Sequence, residues 1–203
     1  MNKQKILISW MIATLLFTGC ANQSNVSVGK STQRVTTMGL DHSDFKKAAS
    51  EAIESMLKSG AVNKRGGGRY VLAISRIIND TTQRIDIDQL VKKIRIALLQ
   101  SGKVVVTTAV RAGGAEDKMS YDARKLRGNS EFNQRTVAKK GQMIAPDLSL
   151  SGKIIQRNVK LTNGNQGVDY YFQLTLTDIN TGLAFWEGET VIGKAGSNDS
   201  VSW

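Results

Sequence analysis

The stretch that decides the fold is GVDYYFQLTLTD, residues 167–178. Apolar and polar side chains alternate along it, and a period of two is typical of a β-strand with one buried face and one solvated face. We therefore predict a strand at the centre of an antiparallel sheet. Its expected buried face consists of Val168, Tyr170, Phe172, Leu174 and Leu176.

Similar runs flank this strand: SLSGKIIQRNVKL at 149–161 and GLAFWEGETVI at 182–192. The connections at 162–165 and 178–182 are rich in Asn, Thr and Gly, which are residues that favour tight turns. The three runs together predict a β-meander.

The first of these strands changes its apolar phase along its length. Leu150 and Ile154 share one parity, whereas Val159 and Leu161 have the other. A β-bulge near residues 155–157 would account for such a change, and we predict one there.

A β-α-β unit precedes the meander. YVLAISRII at 70–78 is a nearly continuous apolar run, which predicts a strand buried on both faces. Residues 87–100 have the apolar period of an amphipathic helix, with Asp86 as the expected N-cap and Gly102 as its stop. A strand at 104–108 should then run parallel to the first, after a right-handed crossover.

A further amphipathic helix is predicted at 40–58. Asp41 fits its N-cap, Asp44 fits the third helical position, and Gly60 ends it. His42 falls in the first turn without catalytic partners, which favours a solvated surface histidine. The predicted fold class is α+β, with one mixed sheet flanked by helices.

Residues 112–141 are the densest basic region of the chain. Helical tendency is present at 120–127 and at 131–140. Tyr121 and Phe132 are interleaved with the basic residues, which is compatible with a binding surface, while the alternative is a solvated helix face. The basic residues are Lys118, Arg124, Lys125, Arg127, Arg135, Lys139 and Lys140.

The first twenty residues, MNKQKILISWMIATLLFTGC, have the pattern of a secretory signal. Lys3 and Lys5 precede a twelve-residue apolar segment, which is too short to span a membrane. The ending Phe17-Thr18-Gly19-Cys20 resembles a bacterial lipobox. That resemblance implies cleavage before Cys20, acylation of Cys20 and, with Ala21 next, sorting to the outer membrane.

We expect four regions along the chain. They are a signal peptide at 1–19, a lipidated cysteine and tether at 20–38, a globular domain at 39–193 and a flexible tail at 194–203. A tether of about eighteen residues reaches at most about 60–65 Å.

Composition narrows the possible functions. There is one cysteine and one histidine among 203 residues, which excludes an internal disulfide and a His/Cys metal cluster. The formal charge of +11 falls to +9 without Lys3 and Lys5. Such a surface favours acidic partners such as nucleic acid, anionic lipid, cell-wall polymer or an acidic protein, or else serves solubility alone.

No catalytic constellation is recognisable. Residues 188–194 match the first seven positions of a phosphate-binding loop, but Ala195 replaces the Ser or Thr that holds Mg²⁺. Glu187 and Glu189 share a strand face, which is a common surface pattern. We therefore predict no catalytic residue and no enzyme.

Four stretches together resemble one family: residues 76–90, 94–104, 148–158 and 170–189. They are similar to LpoB-type outer-membrane lipoproteins, the activators of class A penicillin-binding proteins. The resemblance implies a fold like the N-terminal domain of TolB and a location on the periplasmic side of the outer membrane. It implies docking on a bifunctional peptidoglycan synthase, with peptidoglycan as a further candidate partner, and no cofactor, metal or nucleic acid.

Enterobacterial members often carry a long proline-rich linker after the cysteine, whereas this chain has one proline, Pro146. No family motif maps the docking face. We predict that it consists of the basic and aromatic residues Tyr121, Arg124 and Arg127, with Arg157 and Asn158 beside the expected bulge.

Two other functions stay open on the sequence. One is a scaffold lipoprotein of an envelope or secretion assembly, because a fold does not fix a function. The other is an electrostatic binder of anionic cell-wall polymer or lipid, through the basic excess.

Overall fold

The computed structural model describes residues 38–112, 114–161 and 166–196. The expected signal peptide, Cys20, most of the tether and the turn at 162–165 lie outside the described residues. The elements, in chain order, are α1 His42–Ser59, β1 Tyr70–Asp80, α2 Ile87–Gln100, β2 Val104–Val106, α3 Met119–Asp122, a 3-10 helix Ala123–Leu126, β3 Leu148–Lys160, β4 Gln166–Asp178 and β5 Ala184–Gly196.

The strands form one five-stranded sheet in the order β2-β1-β3-β4-β5. β1 is parallel to β2 and to β3, while β3, β4 and β5 pair antiparallel in sequence order. The predicted β-α-β unit and meander are therefore confirmed, and the fold is α+β with a mixed sheet.

One hydrophobic core joins α1, α2 and a single face of the sheet. The predicted inner face of β4 is buried at all five positions, and the side chains between them are half-buried or exposed. Phe45 of α1 meets Phe172 of β4 edge to face, with ring centroids 6.2 Å apart. The opposite, outer face of β4 and β5 carries polar side chains in contact with solvent.

Local capping residues set the ends of α1. The Asp41 carboxylate accepts hydrogen bonds from the amides of Ser43 and Asp44, at 2.6 and 3.2 Å. The Asp44 carboxylate accepts from the Asp41 amide at 2.8 Å, which completes a capping box. Gly60 ends the helix with a φ of 76°, so both predicted ends are confirmed to within two residues.

The prediction that β1 is buried on both faces is wrong for its second half. Leu72, Ala73 and Ile74 are buried, but Ile78 is 46% exposed. The reason is that both long helices lie on the same face of the sheet, so that among the described residues no helix covers Ile78 on the other face.

The predicted bulge near residues 155–157 is also wrong. β3 pairs with β4 in unbroken register from Leu148 to Lys160. The register shifts lie instead in β1, between Ile74 and Ile77, and at the start of β5. The apolar phase changes because Val159 packs on the outer face of the sheet. It lies against Gly167 there, since a Cβ at Gly167 would be only 2.8 Å from the Val159 Cγ2 atom.

The predicted helical segment at 120–127 is confirmed by α3 and the 3-10 helix, but residues 131–140 form turns rather than a helix. Side-chain to backbone bonds organise those turns: the Gln134 amide donates to the carbonyls of Leu126, Asn129 and Phe132. At the other end of the domain, β5 continues to Gly196, so residues 194–196 belong to the strand and not to the expected tail.

Candidate functional site

The predicted docking residues on and after α3 lie in the long connection between β2 and β3. Tyr121 is 45% exposed. Arg124 donates to the backbone carbonyl of Ser120, and the Arg127 Nε atom donates to the carbonyl of Ala138 at 2.7 Å. Both arginines are half-buried, so they hold their own loop as well as contributing charge.

Exposed apolar side chains accompany this charge. Tyr121 lines a shallow concavity of about 580 Å³ together with Arg111, Lys118 and Lys125. Apolar surface rimmed by charged groups is typical of a protein-binding site. The exposed apolar residues of this connection are Val110, Met119, Tyr121, Phe132 and Ile144.

Arg157 and Asn158 do not join this surface. Both are exposed near the end of β3, and no hydrogen bond or ion pair between described residues links them to Tyr121, Arg124 or Arg127. Because β3 has no bulge, strict alternation directs Arg157 and Asn158 to opposite faces of the sheet.

A larger cleft, which the sequence analysis missed, lies beside β1. It has a volume of about 660 Å³ and is bounded by β1, α2 and the residues Arg111, Ala112 and Glu116. Arg95 of α2 forms an ion pair with Glu116 across it. The basic residues of β1 and α2 are visible in the sequence. They come together only because α2 packs alongside β1, which the sequence does not show.

A carboxylate at the start of β3 joins three segments of the chain. Asp147 accepts a hydrogen bond from the amide of Val71 at 2.8 Å, and pairs with Lys64 at 3.0 Å. The Val71 amide, and then Lys64, hold the pKa of Asp147 below its ordinary value. Lys64 also lies over the Tyr70 ring, 5.1 Å from its centroid. Lys64 is the first residue of a basic, glycine-rich loop at 64–69, and the cluster anchors the loop at that residue. The role of the cluster is therefore structural.

The phosphate-loop-like run lies in β5 and has a packing explanation. A Cβ at Gly188 would lie 2.2 Å from the Trp186 ring, so the glycine makes room for the indole. Lys194 pairs with Asp44 at 2.6 Å. Glu187 and Glu189 accept hydrogen bonds from Thr175 and Gln173 on the outer face.

The described residues contain neither a metal-binding cluster nor a membrane-spanning helix. No group of three or more His, Cys, Asp and Glu side chains in them is placed to hold a metal ion. No helix in the described part of the chain is long and apolar enough to cross a membrane. His42 lies at the surface, with its Nε2 atom 2.9 Å from the Lys93 ammonium.

Comparison with known protein families gives a match over most of the chain. Residues 44–192 match the family model described as peptidoglycan-synthase activator LpoB. The chain belongs to the LpoB family. The match spans the folded domain from the first turn of α1 to β5, which contains both the surface around Tyr121 and the cleft beside β1.

Solved structures include several LpoB domains. The C-terminal domain of LpoB from Salmonella enterica is 15% identical, with 73% of this chain and 98% of that chain covered and a TM-score of 0.46. The corresponding domain from Escherichia coli is 14% identical over the same shares, with a TM-score of 0.42. A PelC dodecamer from Paraburkholderia phytofirmans is 19% identical over 64% of this chain and 75% of that chain, with a TM-score of 0.31. No curated protein sequence matches this chain.

Proposed function

We propose that this LpoB-family chain is an outer-membrane lipoprotein that binds and activates a class A penicillin-binding protein on the periplasmic side. The family match over residues 44–192 is the observation that carries the proposal. The activator performs no chemistry itself. It raises the synthase's activity because it binds the active conformation of the synthase more tightly than the resting one.

The anchor in this proposal is Cys20. The lipobox-like ending at 17–20 supports acylation there, and Ala21 supports outer-membrane sorting. Several acyl chains on one cysteine anchor stably, since each buried CH₂ contributes about 0.8 kcal/mol. Mass spectrometry of the mature amino terminus should find an acylated Cys20, and Cys20→Ser should abolish this acylation. An unmodified, uncleaved terminus would contradict this part.

Docking on the surface around Tyr121 is the next part of the proposal. Its support is the exposed apolar side chains of the connection between β2 and β3, together with Arg124 and Arg127. Tyr121→Ala is the cleaner test, because the two arginines also hold their loop through backbone carbonyls. Arg157 and Asn158, on other faces, are tested separately as Arg157→Glu and Asn158→Ala.

The deciding experiment measures binding and glycan polymerisation with a purified class A penicillin-binding protein from the same cell. We expect the full chain to bind the synthase and to increase its polymerisation rate. Tyr121→Ala should weaken both, while Lys46→Glu, an exposed change on α1, should leave both unchanged. A full chain that neither binds nor stimulates the synthase would overturn the proposal.

The basic excess supports one second candidate, an electrostatic binder of cell-wall polymer. Sedimentation with purified sacculi separates the two functions. Binding to sacculi that disappears on moderate addition of salt, without any stimulation of a synthase, would favour the polymer binder.

A further inference from the structure

The edge of β1 on its β2 side is open over most of its length. β2 pairs only with Tyr70, Val71 and Leu72, and the Thr107 amide donates to the Leu72 carbonyl at 2.9 Å. Alternation along the strand directs the backbone groups of Ile74 to the same edge. No backbone hydrogen bond from another described residue reaches this edge beyond Leu72. An open edge of this kind is a template for pairing with another strand.

The cleft of about 660 Å³ lies against this edge. Four apolar side chains line it, and α2 together with Arg111, Ala112 and Glu116 forms its walls. β1 changes register against β3 between Ile74 and Ile77, so a short strand added along this edge must follow the same irregularity. The apolar lining is formed by Ile74, Ile77, Ile87 and Val91.

Charge in the cleft selects an acidic occupant. Arg76, Lys92, Arg95 and Arg111 line it, opposed by Asp88 and Glu116, which leaves an excess of two positive charges. The Arg95 side chain is only 11% exposed. One of its guanidinium nitrogens bonds to Glu116, but its buried Nε atom has no hydrogen-bond partner among the described residues. A buried donor without an acceptor is costly, and because this Nε atom is shielded from solvent, an occupant of the cleft meets the exposed residues Arg76 and Lys92 instead.

We infer that the cleft receives an extended, carboxylate-bearing segment of the partner synthase, which adds to β1 as a further strand. The open edge supplies backbone hydrogen bonds to the segment, and the basic side chains select its carboxylates. This inference rests on the proposed function. It adds a second docking point, separate from the surface around Tyr121, and the chemistry of the segment that docks there.

The same charges argue against two other occupants. A second copy would bring the same excess of positive charge to the same edge. The chain's own residues 20–37 contain Lys30 and Arg34 and no Asp or Glu, so they are also repelled.

The test is amide hydrogen exchange of the full chain, with and without a purified class A penicillin-binding protein. Strand addition should slow exchange by tenfold or more at those amides of residues 73–78 that face the open edge, because they become hydrogen-bonded. Docking through side chains alone would leave these rates unchanged.

Variants provide the matched comparison. Arg76→Glu with Lys92→Glu reverses two exposed charges of the cleft and should weaken synthase binding at least tenfold, more at low salt than at high salt. Lys46→Glu with Lys160→Glu makes the same charge change at exposed positions away from the cleft and should bind as the wild type does. Thermal unfolding of both variants checks that each is folded.

The outcomes separate this inference from the proposed function. If the synthase binds and is activated, but exchange at 73–78 and binding by the cleft variant are unchanged, the inference is wrong and the proposed function stands. If the full chain neither binds nor stimulates the synthase, both are wrong. If exchange at 73–78 slows as the concentration of the chain itself is raised, a second copy occupies the edge. If exchange there is slow in the free chain and becomes fast when residues 20–37 are removed, those residues occupy the edge. Either result would overturn the inference.

Discussion

Tyr170 connects the first residues of the domain to the middle of the sheet. Its side chain is fully buried, and its hydroxyl donates to the Met38 carbonyl at 3.0 Å. The same hydroxyl accepts a hydrogen bond from the side-chain amide of Gln83 at 2.8 Å. Burial raises the pKa of Tyr170 above its ordinary value, so the phenol stays protonated as a donor.

Tyr170→Phe should therefore destabilise the domain. The change leaves the Met38 carbonyl and the Gln83 amide without a partner, and we expect a loss of about 1–3 kcal/mol in the free energy of unfolding. Urea denaturation measures it. Tyr171→Phe, on the half-exposed outer face of β4, is the control and should change stability by less than about 0.5 kcal/mol. Equal losses for the two variants would contradict this role of Tyr170.

Position 188 must be a glycine because the indole ring of Trp186 occupies the space that a side chain would need. Trp186 also donates through its ring nitrogen to the Ser55 hydroxyl at 3.3 Å, which ties β5 to α1. Gly188→Ala places a Cβ into the ring, so we expect the indole to move and stability to fall by about 1–3 kcal/mol. Near-ultraviolet circular dichroism and urea denaturation report the two effects. Gly193→Ala, whose Cβ would lie 3.2 Å from an Asp169 oxygen, should cost less.

At the scale of elements, one ion pair fixes the start of α1 against the end of β5. The side chains of Lys194 and Asp44 are each 11% exposed, and their charged atoms are 2.6 Å apart. Lys194 also lies 3.7 Å from Asp41, the N-cap of α1. A cation here therefore supports the two carboxylates that define the capping box.

Lys194→Met should be strongly destabilising, because it leaves Asp44 buried without its cation. We expect a loss of about 3–5 kcal/mol, which is typical of a broken buried pair. Adding Asp44→Asn removes the buried charge and should recover part of the loss. A double-mutant cycle by urea denaturation tests this, and strictly additive effects would show that the pair is not coupled.

At the scale of the whole molecule, carboxylates with lowered pKa values link stability to pH. Asp147 joins the loop at 64–69, β1 and β3, while Asp41 caps α1. The pKa of Asp147 is lowered mainly by the Val71 amide, and that of Asp41 mainly by the Ser43 hydroxyl. The folded state therefore binds these protons less readily than the unfolded chain, whose ordinary pKa is 3.8.

The free energy of unfolding should consequently fall as pH is lowered. The stabilisation from these carboxylates is fully present above the unfolded pKa of about 4, and it is lost as pH falls through the lower folded values. Asp147→Asn should be less stable at pH 7 and should lose stability less steeply below pH 4. Urea denaturation from pH 7 to pH 3 measures both slopes, and parallel curves would exclude Asp147 as a contributor.

The sequence by itself determined the two long helices and the five strands of this protein, and their order. The alternation through Val168 and Phe172 and the capping residues Asp41 and Gly60 act between near neighbours, so they can be read without tertiary structure. Parallel pairing of β1 and β2 followed because a helical crossover joins them. The surface around Tyr121 was also recognisable, since its charge and aromatic content are local.

Only the tertiary structure decided where distant residues meet. The turns at 131–140 depend on Gln134 and on Arg127, whose partners lie in other parts of the loop. Arg157 and Asn158 lie on opposite faces of the sheet because β3 pairs with β4 in unbroken register, which only the tertiary structure shows. The cleft between β1 and α2, with the Arg95–Glu116 ion pair across it, exists because β2 stops at Val106 while α2 packs alongside β1. Such contacts join residues far apart in the chain, and no local periodicity encodes them.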